Sequence, residues 1–382
     1  ATALVREGGV HAGGLGSTAT LTASRSILDA ADAGTVTLNV SATNLVLVGA
    51  TGVGTDPTLD PDDEFVVGIG QIDTAVTNLA GFGGTGGFAL ANTGALTIAT
   101  VGTVIGVSAV TGDIDVRTSS PLTVNAAVTS ANDITLEAGA VPDLDDCLDA
   151  LTINAVVDGH NVNLAAADDV TVNDTVNALE NLRIVAGDGV TINDFVFAGE
   201  LATITTGAAG FGANAYADDA ACPNSLVFGP GGGIFADDIV INVAADITLG
   251  ILKAVNTVTV TATGVGSDIF FGDVGLGVQG LVIAGTSVTL SAADNIFFQN
   301  SVTTPLNPGD PQAFIVAGTL LTMTADANVD AVGAIAAPEA DALTTADIFA
   351  PVVVASAATG IAYRGQVDSL VSATTTVGVG TA

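Results

Sequence analysis

Residues 170–189 read VTVNDTVNALENLRIVAGDG, and residues 190–209 continue with VTINDFVFAGELATITTGAA. Both stretches open on nearly the same five residues, and later positions also match at a spacing of twenty. Apolar residues alternate with polar ones at the start of each stretch, which indicates short β-strands rather than helices. A strand pattern that recurs at a fixed period favours a fold in which each repeat stacks on its own copy.

The same phrase occurs on both sides of this pair, as LTVNAAVTSANDITLEAGA (122–140), LTINAVVDGHNVNLAAADD (151–169) and IVINVAADITLG (239–250). The sequence therefore predicts an all-β fold, a right-handed parallel β-helix in which each coil takes about 20 residues. We expect a single elongated solenoid over residues 1–382. Tandem β-sandwich domains are the alternative, because they also consist of short strands, although their strands need not resemble one another.

Four stretches interrupt the repeat, and we expect them to protrude from the coils as loops, where function more often resides. They lie at about 54–69, 141–150, 209–236 and 303–312.

Asparagine recurs at one place in the phrase, directly after a triplet of apolar, Thr or Val, and apolar residues. Stacked at the strand spacing of about 4.8 Å, such side chains can hydrogen-bond along the stack as a ladder. The alternative is that asparagine is simply a common turn residue. The predicted ladder consists of Asn125, Asn154, Asn173, Asn193 and Asn242.

The chain is strongly acidic, with 40 Asp and Glu against 6 Lys and Arg and a formal net charge of -34. Its 49% of hydrophobic residues sets it apart from acidic disordered segments. Six basic residues are too few for a phosphate-binding patch, so nucleic acid is not an expected partner. The longest uncharged stretch, 74–112, is interrupted by Gly, Thr and Asn, so no membrane span is predicted.

Two acidic loops are candidate Ca²⁺ sites, because Ca²⁺ takes six to eight oxygen ligands from carboxylates and carbonyls. A solvated acidic loop that keeps the protein soluble is an equally good interpretation. The denser group is Asp56, Asp60, Asp62, Asp63 and Glu64, and the second is Asp143, Asp145, Asp146 and Asp149.

Cys147 and Cys222 are the two cysteines, and we expect them to form one disulfide in an oxidising compartment, with two unpaired thiols as the alternative. The chain starts at Ala1 without an initiating Met or a basic, apolar leader. We interpret it as a mature exported product, with a chain trimmed at its start as the alternative.

A longer repeat relates the first and last parts of the chain. VGATGVGTD (48–56) and GQIDTAV (70–76) recur as SAATGIAYR (356–364) and GQVDSLV (365–371). Terminal coils of a solenoid expose strand edges that recruit other strands unless they are capped. Similar ends without a capping helix therefore predict end-to-end contact between copies of the chain, although duplication within a longer array would also make the ends alike.

The phrases LTVNAAVTSANDITLEAGA, GDGVTIND and SVTLSAADNIFF resemble the repeat regions of large secreted bacterial surface proteins of the filamentous-haemagglutinin and giant-adhesin type. The resemblance covers most of the chain. It implies a parallel β-helix and a place outside the cell or on its surface.

No pair of acid and base residues is singled out as a catalytic site, and no enzyme activity is predicted. His160 in DGHN is faintly similar to polygalacturonases, and its alternative role is that of a turn residue. Phe270, Phe271, Phe297 and Phe298 are expected to stack in the core rather than to line a sugar site.

The leading hypothesis is an extracellular structural protein that self-assembles into a cell-surface filament, sheath or layer. An adhesin segment that binds a host or matrix ligand through its loop insertions is the alternative. An enzyme acting on polysaccharide is the third.

Overall fold

A computed structural model describes most of the chain, and its described residues form strands and turns without a helix. No helix in this part is long and apolar enough to cross a membrane. The described residues are 3–5, 9–29, 38–54, 71–139, 148–207, 225–271, 280–298, 315–325, 334–336, 348–362 and 365–375.

The chain divides into two compact units, and the described residues up to Gly187 belong to the first, whereas those from Asp188 onwards belong to the second. The first unit contains twenty-two strands among its described residues. They are β1 (Ala3–Val5), β2 (Val10–His11), β3 (Thr18–Ala23), β4 (Ser26–Asp29), β5 (Val40–Gly49), β6 (Gly52–Val53), β7 (Ile72–Phe82), β8 (Phe88–Asn92), β9 (Leu96–Ile98), β10 (Thr100–Val101), β11 (Val104–Ile105), β12 (Val107–Ser108), β13 (Ile114–Thr118), β14 (Leu122–Val124), β15 (Val128–Thr129), β16 (Ile134–Ala138), β17 (Leu151–Ile153), β18 (Val157–Gly159), β19 (Val162–Ala166), β20 (Val170–Val172), β21 (Val176–Ala178) and β22 (Leu182–Ala186).

The second unit contains seventeen strands among its described residues. They are β23 (Val190–Ile192), β24 (Phe195–Ala198), β25 (Leu201–Thr206), β26 (Leu226–Phe228), β27 (Gly233–Val243), β28 (Ile247–Leu249), β29 (Ile251–Ala262), β30 (Ile269–Phe271), β31 (Leu281–Ala284), β32 (Ser287–Ala292), β33 (Ile296–Phe298), β34 (Ile315–Ala317), β35 (Leu320–Thr324), β36 (Ala334–Ala336), β37 (Ile348–Ala357), β38 (Gly360–Ala362) and β39 (Gly365–Thr375).

Within each unit a strand pairs in parallel with the strand one coil later. Leu151 pairs with Val170 and Val162 pairs with Leu182, so these coils take 19 and 20 residues. Leu122 pairs with Leu151, and that coil is longer because it contains the predicted insertion at 141–150. Parallel pairing at this period confirms the parallel β-helix and excludes the antiparallel sandwich alternative.

The alternation in the sequence sorts side chains between the inside of the coil and its outer surface. In β22 the side chains of Leu182, Ile184 and Ala186 are buried, whereas Arg183 is half-buried on the outward side. The register places Leu164 of β19 beside Ile184, so the core consists of columns of aliphatic residues. Burial of these columns supplies the main favourable free energy of each coil.

One hairpin departs from the parallel pattern. Strands β10 and β11 pair antiparallel and pack on the outward face of β5 and β7. Val101 of the hairpin is buried against Val46 and Ala80, which would otherwise face water. The hairpin therefore gives this part of the first unit a second, smaller apolar core outside the coil.

The phenylalanine prediction is right for two residues of the four. Phe271 and Phe298 point inward, are buried, and stack with ring centroids 4.8 Å apart. Phe270 and Phe297 point outward and stack on the surface at 5.3 Å. The reason is the alternation of a strand, which sends consecutive side chains to opposite faces.

The insertion predicted at 209–236 is shorter than the sequence suggests, because residues 226–228 form β26 and residues 233–236 begin β27. Residues 148–150 of the 141–150 insertion are described, as is Gly54 of the 54–69 insertion. Residues 55–69, 141–147, 209–224 and 303–312 of the predicted insertions lie outside the described part of the chain.

The two stacked pairs give a matched test of the core. We expect Phe271→Ala to lower the free energy of unfolding by about 3–5 kcal/mol, because it leaves a cavity beneath Phe298. Phe270→Ala should cost about 1 kcal/mol, since it removes only a surface aromatic contact. Denaturant unfolding followed by far-UV circular dichroism measures both, and equal losses would contradict the inward and outward assignment.

Candidate functional site

Three of the predicted ladder asparagines are joined by side-chain hydrogen bonds in the first unit. Nδ2 of Asn154 donates to Oδ1 of Asn125 at 2.9 Å, and Nδ2 of Asn173 donates to Oδ1 of Asn154 at 2.8 Å. Each residue directly follows a strand of one column, β14, β17 or β20, and all three are exposed. The amides therefore form a ladder along the outside of consecutive coils.

The other two predicted members lie in the second unit and do not form such a ladder with each other. Asn193 follows β23, but the next coil has Gly229 at the matching place. Asn242 lies inside β27 and pairs with Thr205 and Thr261. Its triplet looks like the others, but here the strand continues past the asparagine, so the residue has a different position in the coil.

A second ladder, which the sequence analysis missed, lies at the turn before the long strand of each coil. Oδ1 of Asp133 accepts from the backbone N–H of Asn161 at 3.2 Å and from its Nδ2 at 2.9 Å. Oδ1 of Asn161 accepts from Asn181 in the same way, at 3.1 and 3.0 Å. Oδ1 of Asp113 begins the column by accepting from the N–H of Asp133 at 3.2 Å. In every step the later coil donates to the earlier one.

The second unit has a similar ladder at another turn, the one before the three-residue strands β28, β30 and β33. The N–H of Asp268 donates to Oδ1 of Asp246 at 2.9 Å, and Asn295 donates its N–H and Nδ2 to Oδ1 of Asp268 at 2.8 and 3.0 Å. The N–H of Ala334 donates to Oδ1 of Asn295 at 2.9 Å. The sequence did contain a signal for these ladders, because each Asp or Asn stands directly before an apolar–x–apolar strand.

Asp238 joins two coils of the second unit in a related way. Its Oδ1 accepts from the backbone N–H of Thr257 at 3.0 Å and from the Thr257 hydroxyl, and its Oδ2 accepts from Nδ2 of Asn256 at 3.4 Å. The Thr257 hydroxyl bond is the main cause that lowers the pKa of Asp238 below its usual value. The carboxylate is thus held ionised as an acceptor for the next coil.

His160 lies at a turn between two carboxylates from neighbouring coils. Its Nε2 is 3.3 Å from Oε1 of Glu180, and its Nδ1 is 3.6 Å from Oδ1 of Asp133 and 3.2 Å from Nδ2 of Asn161. The imidazole is 34% exposed. When protonated, it can join the coil before it to the coil after it, which matches the turn-residue interpretation of His160.

A charged group that the sequence analysis did not identify lies on the outward side of β13 and β16. The Arg117 guanidinium donates from Nε to Oδ1 of Asp115 at 2.8 Å and from Nη2 to Oδ2 at 2.9 Å, and its Nη1 is 3.3 Å from Oε2 of Glu137. Burial raises the pKa of Asp115, and the hydrogen bond and charge of Arg117 oppose that rise. The triad could be found from the twenty-residue period, which places Glu137 opposite Arg117.

The proposed calcium ligands cannot be compared with the structure, because Asp56, Asp60, Asp62, Asp63 and Glu64 lie outside the described residues. Asp143, Asp145 and Asp146 of the second acidic group also lie outside them. Among the described residues no cluster of three or more His, Cys, Asp or Glu is arranged to hold a metal.

Asp149 is the described member of the second acidic group, and it is buried. Its backbone N–H donates to Oδ2 of Asp168, which is also buried. This bond connects adjacent coils in the same manner as the turn ladders. Cys147 and Cys222 of the predicted disulfide lie outside the described residues.

An apolar surface, which we call the outer strip, runs across six strands of the second unit. The strip is one column of outward positions, in which each residue pairs in register with the next, and Phe195 lies beside its first member. The column consists of Phe197 (β24), Phe235 (β27), Lys253 (β29), Ile283 (β31), Val316 (β34) and Phe349 (β37).

The rings at one end of the outer strip form a cluster. Phe197 and Phe235 stack with centroids 5.2 Å apart, and Phe195 meets Phe235 edge-on at 5.5 Å. Phe195, Phe197 and Phe349 are each 38% exposed. In the first unit, by contrast, the outward residues of β15, β18 and β21 are polar: Thr129, Asp158 and Asn177.

A substitution in the turn ladder should lower the free energy of unfolding more than one in the asparagine ladder, because the partner that it leaves without a hydrogen bond is less exposed. Asn161→Ala should lower the free energy of unfolding by about 2 kcal/mol, because the partly buried N–H of Asn181 loses its acceptor. Asn154→Ala should cost about 0.5–1 kcal/mol, since its side-chain partners are exposed and can bind water. Thermal unfolding of both variants measures the difference, and an equal loss would contradict the assignment of the turn ladder as the stronger one.

Replacing Arg117 of the triad should lower the free energy of unfolding by an amount that depends on pH. In Arg117→Met the pKa of Asp115 should rise further, and a carboxyl whose folded pKa is raised destabilises the fold as pH rises through that pKa. The free energy of unfolding of Arg117→Met should therefore be about 3 kcal/mol below that of wild type at pH 7, and this difference should shrink towards pH 4.

Denaturant midpoints at several pH values provide the measurement, and Arg25→Met serves as the matched control because Arg25 is exposed. An Arg117→Met deficit that is the same at all pH values, or no larger than that of Arg25→Met, would show that the triad is not a buried ionic group.

No protein-family model matches this chain, and no curated protein or solved structure is significantly similar to it. The resemblance to haemagglutinin-type repeats therefore rests on the repeated phrases themselves. The geometry of the ladders, the triad and the outer strip is the basis for inferring a function.

Proposed function

We propose that the protein is an extracellular structural protein that assembles with copies of itself into a filament, sheath or layer at the cell surface. The observation that supports this role most is the use of its carboxylates and amides. In both units they bind the next coil, as Asp133, Asn161, Asp238 and Asp268 do. These polar groups hold neighbouring coils of each unit together.

Such bonds suit a protein that carries mechanical load. Each coil is held to its neighbours by parallel backbone pairing and, at the turns, by side chains that bond the following N–H. In a stack where each repeat contacts its neighbours, stability is the sum of repeat and interface contributions. Adding a bond to every interface therefore strengthens the whole stack.

The net charge of -34 constrains any assembly. Copies therefore repel one another, and the distance over which this repulsion acts falls from about 30 Å at 0.01 M salt to about 8 Å at 0.15 M. Assembly by apolar or strand contacts should therefore strengthen as salt increases. Assembly through bridging Ca²⁺ should instead dissolve in a chelator.

A role as an adhesin segment is the second candidate, and the outer strip is the observation that favours it. Exposed aromatic side chains in a contiguous patch are characteristic of surfaces that bind a partner. In that case the coils would act as a spacer, and the strip or the predicted insertions would contact a host or matrix ligand.

The structural role is tested by imaging the full chain in negative-stain electron microscopy and by sedimentation at low and physiological salt. We expect ordered assemblies that increase with salt. Assemblies that dissolve in EDTA and return with Ca²⁺ would assign the contact to the acidic loops. Dispersed single molecules at every salt and protein concentration would contradict self-assembly.

A further inference from the structure

We propose that the outer strip is the surface through which two copies of this chain associate side by side. The inference rests on the proposed structural function and adds to it a contact surface and a partner. It uses residues of the second unit alone, from Phe195 on β24 to Phe349 on β37.

The exposed area of the strip sets the strength of this contact. A phenylalanine offers about 200 Å², so an exposure of 38% leaves about 75 Å² of each of Phe195, Phe197 and Phe349 in water. With their half-buried neighbours they form a patch of a few hundred Å². A stable interface buries about 800 Å² per partner. One pair of strips therefore binds weakly, and many strips arrayed along an assembly bind strongly through avidity.

The spacing of the strip matches that of a second copy. Its side chains come from successive paired strands and repeat at the strand spacing of about 4.8 Å. A second strip has the same repeat, so ridges of one can fit between ridges of the other over the whole column, as in two stacked sheets. A small sugar or a peptide side chain would cover only one or two steps of it.

The charge of the strip also favours a second copy of the chain as the molecule that binds there. Lys253 is the only lysine of the chain, it is exposed, and it stands between Phe235 and Ile283 in the column. Asp194 and Asp237 are partly exposed beside the aromatic end. Two strips therefore bring a cation and apolar groups to a contact between chains that otherwise repel, and Lys253 of one copy can meet carboxylates of the other.

The main test compares two triple variants of the full chain by sedimentation equilibrium over a wide concentration range. Phe195→Ser/Phe197→Ser/Phe235→Ser removes the cluster of three rings at one end of the strip. The matched control, Leu15→Ser/Val110→Ser/Val265→Ser, removes three exposed apolar side chains elsewhere. Circular dichroism and thermal unfolding of each variant establish that it is folded.

We expect the strip variant to weaken side-by-side association by about tenfold or more, as loss of buried aromatic anchors does at interfaces. The control should associate as wild type does. If Phe195→Ser/Phe197→Ser/Phe235→Ser proves unstable, the single variant Phe349→Ser provides the same comparison, with a smaller expected loss of about threefold.

Lys253 supplies a second, electrostatic readout. Lys253→Glu should weaken association, most strongly at low salt, whereas Lys253→Arg should retain it. Equal behaviour of Lys253→Glu, Lys253→Arg and wild type at low salt would remove the charge argument for a second copy.

The outcomes separate this proposal from the proposed function. If wild type assembles and the strip variant assembles equally well, the strip is not the contact, and the structural function stands. If wild type stays monomeric while a soluble oligosaccharide or a basic amphipathic peptide binds at the strip, the occupant is a ligand and the proposal is overturned. Wild type that neither assembles nor binds overturns both.

Discussion

Parallel pairing in register is the interaction on which the rest of the structure depends. It places each residue about 4.8 Å from its counterpart in the next coil, so like side chains meet like. Asparagine on asparagine gives a hydrogen bond, as between Asn125 and Asn154, and phenylalanine on phenylalanine gives a stack, as between Phe271 and Phe298. Acid on acid would give repulsion, which an acidic chain has to avoid.

Two local arrangements resolve that conflict. At the turns, an aspartate accepts from the backbone N–H of the next aspartate, as Asp246 does from Asp268, so the donor is always available. On the strands, Arg117 lies between Asp115 and Glu137 and compensates both carboxylates. Acidity therefore contributes to the joining of coils, and this use of charge supports the proposed structural role.

The features that could be predicted from the sequence are those that follow from the twenty-residue period. The coil length near residues 151–187 and the ladder of Asn125, Asn154 and Asn173 follow from identical residues at a constant spacing. Asn242 was misplaced because a local triplet does not show whether the strand continues beyond it. The turn ladders were missed because either Asp or Asn can stand at the position, and what recurs is an acceptor oxygen. The outer strip depends on which face each strand turns outward, and in FVF (195–197) or IFF (269–271) that is decided by the register.

The turn ladders have a direction, since each coil donates to the coil before it and offers an acceptor to the coil after it. Any coil built this way can follow any other. A gene that gains or loses one whole coil would leave every column closed, whereas an insertion of one residue inside a strand would turn the following side chains of that strand to the opposite face. The ladders of Asn161 and its counterparts therefore allow related proteins to differ in their number of coils while the hydrogen bonds between coils stay the same.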